Sequence, residues 1–480
     1  MIRVYLDTNI FSSLKLPEKK EILDFLITHN DSIIVPFSEA HFRDIMKSYS
    51  VKNPKFYEDL ELYDKICGSH LLQWENDHIS PKDCTPSQYF ESVKDDYTYS
   101  TEINFAETFD EIETSTNELS PETNFSEIIN NLKKLPAGIE ITDQNRSLLG
   151  QLFPNLRSDS TFWELMQDIS TIGNKLLNDK ESYIGLRSSI HQHGLKLDVN
   201  SGNWEVEEVI SKIDSYLKSF HETLSFDQFI TSSRKDIGKT LSIYEYFNTA
   251  YLILDLIGYK SDRLSKPSNN MWNIYTDADH AFYAATCDYF ICNDKNLLSR
   301  SSVLYHYLNI DTKIMNLDAL IDSISPYITP KFSGAQLLVD EISLVLNDVK
   351  AKTPSQIIES PELNTKIYTY LLNRKFLNIF NAVFTVEYKH EDLNVLEITF
   401  SIRYQNYSRF LYNSELYNCI SRLNHILGFA NYDVNVIYNT YINAESDQVV
   451  FKWISNTINI FLIKEPNTFR PILIYGEKYI

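Results

Sequence analysis

Short runs of strand-forming residues alternate with helical patterns in the first part of the chain. Residues 2–7, IRVYLD, are such a run and end on the carboxylate Asp7, after which a helix-compatible segment begins. A second run, residues 32–37, leads to Ser38, which is a good helix N-cap, and to Glu39 in the first turn of the next helix. By itself Glu39 has a simple explanation, because a carboxylate stabilises the positive end of a helix.

The same arrangement recurs in residues 274–300. Asp277 and Asp279 open an apolar helix, and a four-residue apolar strand, residues 289–292, then leads to Asp294. A short buried strand with an acid at its carboxyl end is typical of an α/β sheet whose ligand site lies at the strand ends. We therefore predict a parallel sheet flanked by helices, with its acids gathered at one edge.

The neighbouring segments continue the α/β pattern. An apolar helix is predicted for residues 241–258, and residues 296–308 form a further helix. A short strand at residues 313–316 and a helix that begins near Asp318 follow. These segments assign residues 1–67 and 241–330 to one α/β domain.

Residues 68–240 separate the two parts of this domain and are predicted to form an inserted subdomain. Its first part is acidic, because residues 102–127 contain eight aspartates and glutamates and neither lysine nor arginine. This composition is typical of a solvated segment, although a nucleic-acid mimic that covers an active site would share it. Helical periodicity returns over residues 159–229, so we predict a helical and acidic insertion.

Two groups of polar residues in and after the insertion invite a functional interpretation. His191, His193 and His221 would suit a metal site, but loop histidines without nearby cysteine or acidic ligands are usually polar surface. A group of basic residues lies where the chain returns to the α/β domain. This group is the best local candidate for contacts with phosphate. The alternative is that its side chains lie at helix ends and contact only water. The members of this basic group are Arg234, Lys235, Lys239, Lys260, Arg263 and Lys266.

A second domain is predicted after Pro330. Residues 335–349 have the pattern of a helix, and residues 395–404 alternate apolar and polar side chains, as a strand with one buried face does. Further strands are predicted at residues 382–388, 434–441, 449–454 and 457–464, and a helix at residues 414–427. Residues 331–480 would then form an α+β domain with an antiparallel sheet.

Length and composition exclude several classes of protein. A chain of 480 residues with 43% hydrophobic content exceeds one typical domain and can bury sizeable cores. No apolar run is long enough for a membrane span, and Asp7 interrupts the first apolar residues where a secretory signal would have its core. The five cysteines are scattered without CxxC spacing, which predicts reduced thiols and a cytoplasmic location, with neither a disulfide frame nor a zinc site.

The net charge of −21 argues against broad, nonspecific binding to a phosphate backbone. The charge is uneven, because residues 331–480 contain 14 basic and 15 acidic residues and the first 330 residues carry nearly all of the excess. This first part would repel a nucleic acid unless metal ions neutralise some of its acids.

Asp7, Glu39, Asp279 and Asp294 together resemble the acid set of the PIN-domain nucleases. The matching pieces are LDTN at the first strand, a glutamate that opens a helix after the second strand, and the alanine-rich helix and strand between Asp279 and Asp294. The resemblance covers about a third of the chain. In two respects the chain departs from the family: Cys292 stands where threonine is common, and the second and third acids lie 240 positions apart.

The resemblance implies a metal-dependent endoribonuclease whose products carry a 5′-phosphate and a 3′-hydroxyl. Carboxylates that converge at strand ends repel one another and need divalent cations, and oxygen ligands favour Mg²⁺ or Mn²⁺ over zinc. Two such ions would activate a water and stabilise the leaving 3′ oxygen.

Each acid of this set has an expected role as a metal ligand. Asp7 is the central or bridging ligand, Glu39 and Asp279 complete the coordination, and Asp294 acts directly or through water. Asp277 replaces Asp279 if the register differs by two residues.

Other residues are expected to support the acids and hold the substrate. Thr8 and Asn9 would orient Asp7 through hydrogen bonds. Lys260, Arg263 and Lys266 are the expected substrate contacts. The resemblance favours RNA over DNA as the substrate, and single-stranded or looped RNA best suits an exposed site without a broad basic surface.

The large insertion and the added C-terminal domain favour regulated activity over a minimal toxin. A defence or toxin-like role, and a regulatory protein partner or a homo-oligomer, are compatible with this interpretation. Two alternatives stay open. One is a catalytically silent PIN-like scaffold that acts as a binding or regulatory subunit, against which the retention of four acids argues. The other is a phosphatase of the haloacid dehalogenase type, which needs a second aspartate where this chain has Asn9.

Overall fold

The computed structural model describes most of the chain. The described residues are 1–97, 135–136, 156–161, 164–165, 173, 175–177, 179–192, 195–197, 203–219, 222–235, 240–262, 270–328, 335–360, 365–388, 395–403, 408–426, 433–445, 449–454, 458–465 and 470–478. The predicted acidic segment at residues 102–127 lies outside them.

The described residues form fourteen strands, which are numbered here in chain order. They are β1 (Ile2–Leu6), β2 (Ile33–Ile34), β3 (Phe37–Ser38), β4 (His70–Glu75), β5 (His78–Asp83), β6 (Tyr289–Ile291), β7 (Lys313–Met315), β8 (Gln356–Ser360), β9 (Thr365–Phe376), β10 (Phe380–Tyr388), β11 (Val395–Ser401), β12 (Val449–Ile454), β13 (Ile458–Lys464) and β14 (Pro471–Lys478).

The α-helices of the described residues are identified below by their bounds. They are Thr8–Leu14, Lys20–Thr28, Glu39–Met46, Pro54–Cys67, Pro86–Tyr97, Lys180–Gln192, Val209–Lys218, Phe226–Lys235, Ile243–Leu256, Met271–Ala284, Lys295–Tyr307, Leu320–Ile324, Ala335–Lys350, Asn413–Ile426 and Val434–Asn443. None of these described helices is long and apolar enough to cross a membrane.

A parallel sheet organises the first part of the chain, with the strand order β2-β1-β6-β7. All five residues of β1 are buried, as expected for a central strand with both faces covered. Its register pairs Val4 with Tyr289 and Leu6 with Ile291, so β1 and β6 end side by side. The expectation of a mixed α/β chain with a parallel sheet is thus confirmed. Asp7 directly follows β1, and Asp294 follows β6 three residues after its end.

A second, three-stranded sheet is formed by β3, β4 and β5, with β3 parallel to β4 and β4 antiparallel to β5. The two residues between β4 and β5, Asn76 and Asp77, have φ values of 48° and 61°. Positive φ at both central positions is the signature of the type I′ hairpin, whose twist matches that of the strands it joins.

The C-terminal residues form a seven-stranded antiparallel sheet with the order β12-β13-β14-β11-β10-β9-β8. Its core contains apolar side chains from alternate strand positions, such as Ile398 and Phe400, and from the helix Asn413–Ile426. The predicted antiparallel sheet is therefore present. The strand predicted over residues 395–404 is β11, which ends at Ser401, and the helix predicted at residues 414–427 is the helix Asn413–Ile426.

One predicted strand is wrong. Residues 434–441 belong to the helix Val434–Asn443, not to a strand. The β-branched residues favour a strand, but Asp433 caps the helix by accepting from the Asn435 backbone N–H at 2.8 Å. The buried positions are Ile437 and Tyr441, which are four residues apart. This spacing places both side chains on one face of a helix, so the segment buries them as a helix and not as a strand.

The helix before β6 also differs from its prediction. It begins at Met271, so Asp277 and Asp279 lie inside the helix and do not open it. Asp279 is fully buried and Asp277 is partly exposed. The two acids thus lie on different faces, because positions two apart on a helix point in different directions.

By compactness the chain divides into two units. The first consists of Met1–Tyr89, His280–Asp294 and Leu308–Ile480, and it contains all fourteen described strands. The second consists of Phe90–Asp279 and Lys295–Tyr307, and it is helical over most of its described residues. The domain boundaries expected at residues 67, 240 and 330 stay a prediction.

The second unit has a charged centre. Asp255 and Arg300, both fully buried, are joined by a hydrogen bond of 2.8 Å. Asp255 also accepts from the Tyr183 hydroxyl at 2.6 Å, and Arg300 donates to Asp262 at 2.8 Å. These pairs join the helices Lys180–Gln192, Ile243–Leu256 and Lys295–Tyr307, so part of the insertion shares a core with the segments on either side of it.

Candidate functional site

Asp7 is a buried carboxylate at the carboxyl end of the central strand β1. It stands at the N-cap of the helix Thr8–Leu14, but its side chain makes no capping hydrogen bond. Its backbone N–H donates to Ile291 O at 2.9 Å, which holds the end of β1 against β6. Asn9 Nδ2 donates to Asp7 Oδ2 at 3.2 Å, which is the orienting contact expected for Asn9.

Burial raises the pKa of Asp7 above its ordinary value. The nearby His280 acts to lower this pKa, and the carboxylate of Asp44 acts to raise it. No lysine or arginine of the described residues forms an ion pair with Asp7. A buried carboxylate in this environment favours a proton or an added cation over the bare charge.

Cys292 lies between Asp7 and Asp294 at the end of β6. Its Sγ is 3.7 Å from Asp7 Oδ2, and the Asp294 backbone N–H donates to the same sulfur at 3.2 Å. The thiol thus contacts both the Asp7 carboxylate and the backbone of Asp294. The Asp294 residue itself is exposed.

His280 connects the helix Glu39–Met46 to β1. Its Nε2 lies 3.1 Å from Asp44 Oδ2, and its Nδ1 lies 2.9 Å from the Tyr5 hydroxyl. The Thr8 hydroxyl is 3.1 Å from the same Nε2, so Thr8 contacts His280. Burial acts to raise the pKa of Asp44, but the hydrogen bond and charge of His280 outweigh it and hold that pKa well below its ordinary value. Asp44 is therefore an ionised acid whose charge acts on Asp7.

His41 lies in the first turn of the helix Glu39–Met46 and bonds to the backbone before it. The Ser38 backbone N–H donates to His41 Nδ1 at 3.0 Å, so the ring proton lies on Nε2, which donates to Leu6 O at 2.7 Å. Burial, and next the charge of His280, lower the pKa of His41 to about 3. The ring is therefore neutral near neutral pH, with both nitrogens occupied by the backbone.

The sequence prediction does not include His41, Asp44 or His280. A signal for two of them exists in the chain, because His41 and Asp44 are three positions apart on one helix, next to the apolar residues Phe42 and Ile45. Polar side chains on a buried helical face need partners, so they mark a hydrogen-bond network. His280 is harder to find, because its partners Tyr5 and Asp44 are more than 230 positions away.

Glu39 lies in the first turn of its helix, as predicted, and has different neighbours from Asp7. Arg43 Nη2 is 3.7 Å from Glu39 Oε2, and Gln73 on β4 hydrogen-bonds to the carboxylate. Burial raises the pKa of Glu39, while Arg43 and Gln73 act against this shift. Asp44, not Glu39, is the acid of this helix whose charge acts on Asp7.

Asp277 and Asp279 belong to the second unit. Tyr244 donates its hydroxyl proton to Asp279 Oδ1 at 2.7 Å. Asp277 acts electrostatically on the buried Arg300. Of the predicted substrate contacts, Lys260 is partly exposed and has a φ of 46°, whereas Arg263 and Lys266 lie outside the described residues.

The side chains near Asp7 limit which metal ion could bind there. The described part of the chain contains no group of three or more histidine, cysteine, aspartate or glutamate side chains that could hold one. Zinc needs three or four protein ligands, so this arrangement does not fit zinc. Mg²⁺ is commonly held by one or two carboxylates, with water and substrate phosphate completing its shell. Asp7 and Asp294 follow the adjacent strands β1 and β6 and are the two carboxylates available for such a form of binding.

Comparison of the chain with models of known protein families, with curated proteins and with solved structures found no match in any of the three.

Proposed function

We propose that the chain is a metal-dependent endoribonuclease that hydrolyses phosphodiester bonds of RNA at the carboxyl edge of the parallel sheet. The observation that carries this proposal is the state of Asp7. Its carboxylate is buried at the end of the central strand, does not cap its helix, and forms no ion pair with a described lysine or arginine. Such a carboxylate is suited to a divalent cation.

The residues around Asp7 hold its carboxylate in place. Asn9 donates to Oδ2, and Cys292 joins Asp7 to the backbone of Asp294. A bound Mg²⁺ or Mn²⁺ would supply the activation of water and the stabilisation of charge on the phosphate. Asp44 acts on this site through its charge, which works to raise the pKa of Asp7, while its partner His280 acts more strongly to lower that pKa.

The remaining parts of the PIN-like proposal rest on the resemblance. Glu39, Asp277 and Asp279 are further metal ligands by resemblance alone, because the described residues contain no group of three such side chains that could hold an ion. RNA is proposed as the substrate over DNA on the same ground. A PIN-like fold for the parallel sheet, and a regulated role in defence or as a toxin, belong to this proposal too.

Cleavage of a mixed pool of single-stranded and structured RNA tests the proposal. Wild-type protein is expected to cut in the presence of Mn²⁺ or Mg²⁺ and to stop when EDTA is added. Asp7→Asn keeps the size of the side chain and removes its charge, so it should abolish both cleavage and Mn²⁺ binding. Asp24→Asn is the matched control, because Asp24 is an exposed acid on the helix Lys20–Thr28.

The competing proposal is a silent scaffold that keeps the fold without catalysis. It is favoured by the engagement of Glu39 with Arg43 and of Asp44 with His280, since these acids already have cationic or hydrogen-bonding partners. Wild-type protein that neither cuts RNA nor binds Mn²⁺ by titration would support the scaffold. Cleavage that survives in Asp7→Asn would place the activity elsewhere.

A further inference from the structure

The three described helices of residues 331–480 pack on one face of the seven-stranded sheet. Ile342, Leu416 and Ile437, one from each helix, belong to the core that also contains Ile398 and Trp453 of the sheet. These helices are Ala335–Lys350, Asn413–Ile426 and Val434–Asn443. Side chains along a strand alternate between the two faces, so the residues between those of the core form the opposite face. We call this opposite face the outer face.

The register of the strands identifies the side chains of the outer face. Residues that pair across neighbouring antiparallel strands point to the same side of the sheet. One row of pairs, called here the crossing row, runs over all seven strands and consists of Lys452, Phe461, Ile474, Thr399, Phe384, Thr369 and Gln356. The next row consists of Trp453, Ile460, Tyr475, Ile398, Thr385, Tyr368 and Ile357. Because this second row contains the core residues on the helix side, the crossing row lies on the outer face.

The large apolar side chains of the outer face remain partly exposed. Phe384, Phe461 and Ile474 of the crossing row are partly exposed, whereas Ile460 and Tyr475 of the next row are each 1% exposed. Three more partly exposed side chains stand two positions further along their strands and therefore on the same face, namely Leu371, Ile463 and Ile472. None of these six side chains belongs to the core on the helix side. A packed layer over the outer face would bury them as the helices bury the next row.

Exposed apolar residues extend the outer face to the two edge strands. Ile358 on β8 is 44% exposed and Ile454 on β12 is 59% exposed, and each stands two positions along its strand from a member of the crossing row. Lys452 is the charged residue of the crossing row, and its Nζ lies 5.8 Å from the centroid of the Phe461 ring. A contiguous apolar surface of this kind is typical of a site that another macromolecule covers.

We propose that the outer face is the interface of a homodimer, in which the outer faces of two copies of the chain pack against each other. Twofold symmetry requires a surface that complements itself. An apolar sheet face meets this requirement, because two sheets can stack face to face with their side chains interdigitated. The proposal goes beyond the nuclease function and does not depend on it.

The distribution of charge favours a second copy as the occupant. The whole chain carries a net charge of −21, but residues 331–480 contain 14 basic and 15 acidic residues. Two copies that met through the first 330 residues would repel each other, whereas the nearly neutral C-terminal residues remove this repulsion. A nucleic acid or an acidic membrane surface would find a single cation in the crossing row, Lys452 on an edge strand.

The outer face is large enough for a specific dimer. The sheet has seven strands, and neighbouring strands lie about 4.8 Å apart, so the face is about 30 Å wide. About five residues along each strand span about 17 Å, which gives each copy roughly 500 Å² of interface. Two copies would together bury roughly 1,000 Å², the size at which specific protein interfaces begin.

The test is the mass of the full-length protein in solution, measured by light scattering over a series of protein concentrations. Wild-type protein is expected to have twice the mass of one chain. Ile474→Lys places a charge within the interface and should weaken the dimer at least about a hundredfold. Val436→Lys is the matched control, because Val436 is a 60% exposed residue on the helix Val434–Asn443 and should leave the dimer unchanged.

Two further measurements separate loss of the interface from loss of the fold. Thermal unfolding verifies that each variant is folded. Thr399→Lys, on the central strand β11, alters a residue of the crossing row that is already polar, so it tests the interface if Ile474→Lys does not fold. The wild-type dimer should also persist at high salt, because an apolar interface is not weakened by screening.

Several results would overturn the proposal. A folded Ile474→Lys or Thr399→Lys variant with wild-type dimer affinity would place any interface elsewhere, and an equal loss in Val436→Lys would show that the effect is not specific to the outer face. A wild-type protein that is monomeric at every concentration would contradict the homodimer and leave a different protein as the occupant of the outer face.

Discussion

Burial decides which side chains carry charge around Asp7. Desolvation disfavours every ionised form, so it raises the pKa of Asp7 and lowers that of His41. The pKa of Asp44 is lowered in spite of its burial, because His280 donates a hydrogen bond to its carboxylate at 3.1 Å. One neutral histidine and one stabilised carboxylate therefore lie on the same helix, three residues apart.

His41 should make folding sensitive to acid. Its pKa is about 3 in the folded chain and about 6.5 when unfolded, so between these values only the unfolded chain takes up a proton. The folded state therefore loses stability as the pH falls from 6.5 towards 3, by about 1.4 kcal/mol per pH unit from this group. Urea unfolding of wild type and His41→Asn at several pH values would measure this slope.

The asparagine variant keeps an acceptor for the Ser38 N–H and cannot be protonated in this range. Its stability should therefore fall less steeply with acid than that of the wild type. His78→Asn is the control, because water reaches that exposed ring in the folded chain as it does in the unfolded chain. Equal slopes for wild type and His41→Asn would show that another group carries the acid sensitivity.

One buried and one partly buried ion pair join β1 and β6 to the C-terminal elements of the first unit. Arg3 Nη2 donates to Glu415 Oε2 at 2.7 Å, and Arg3 lies over the Phe410 ring at 4.5 Å from its centroid. Lys375 pairs with Asp288, just before β6, at 2.6 Å. Both strands that lead to the candidate site are thus attached to the seven-stranded sheet and its helices, which the apolar pattern alone does not predict.

Loss of the Glu415 charge should be costly. The substitution Glu415→Gln leaves Arg3 buried without its carboxylate, and such changes cost about 3–5 kcal/mol. Side-chain exposures of 9% for Arg3 and 3% for Glu415 place the pair in this class. By contrast, Glu208→Gln breaks an ion pair in which the Lys212 side chain is 41% exposed and the Glu208 side chain 54% exposed. The expected loss of unfolding free energy is therefore only about 0–1 kcal/mol. Denaturant unfolding would compare the two variants. Similar losses of unfolding free energy would contradict the expectation that the buried Arg3–Glu415 pair contributes more than the exposed one.

The pH dependence of the Arg3 and Glu415 pair has a defined sign. Burial acts to raise the pKa of Glu415, but the charge of Arg3 outweighs it and lowers the pKa from 4.5 to about 2. The stabilisation is therefore fully present above pH 4.5 and is lost as the pH falls through about 2.

For the whole molecule, the compact first unit includes residues before and after the predicted boundary at Pro330. Asn378 Nδ2 donates to Ser32 Oγ at 3.2 Å, and Arg422 donates to the same oxygen at 3.0 Å. Together with the Arg3 and Lys375 pairs, these contacts tie the parallel sheet to residues that the sequence assigns to a separate domain.

Truncation at residue 330 should therefore destabilise the parallel sheet. The shortened chain loses Glu415 and exposes Arg3, whose neighbours on β1 are all buried. We expect the β1 amides to lose protection in hydrogen exchange, and Arg3→Met in the shortened chain to restore part of it by removing the unpaired charge. Full protection of β1 in the shortened chain would show that residues 1–330 fold independently.

Local patterns predicted many single elements and failed where two local preferences compete. The strands at β1 and β11 and the helix Asn413–Ile426 follow from apolar periodicity. Residues 434–441 are rich in strand formers, yet an Asp cap and two buried positions four apart make them helical. The helix start at Met271 was missed because Asp277 and Asp279 have the character of a first turn.

The sequence by itself determined the mixed α/β class of the chain and the positions of Asp7 and Asp294 after two neighbouring strands. Apolar runs that end on Asp7 and near Asp294 predict parallel strands with acids at their carboxyl ends, because strand burial and polarity are local properties of the chain. Only the tertiary structure decided which groups surround Asp7, because His280, Asp44 and Cys292 approach it from segments far apart in the sequence. Pairing across such distances depends on packing and burial, which local propensity does not encode.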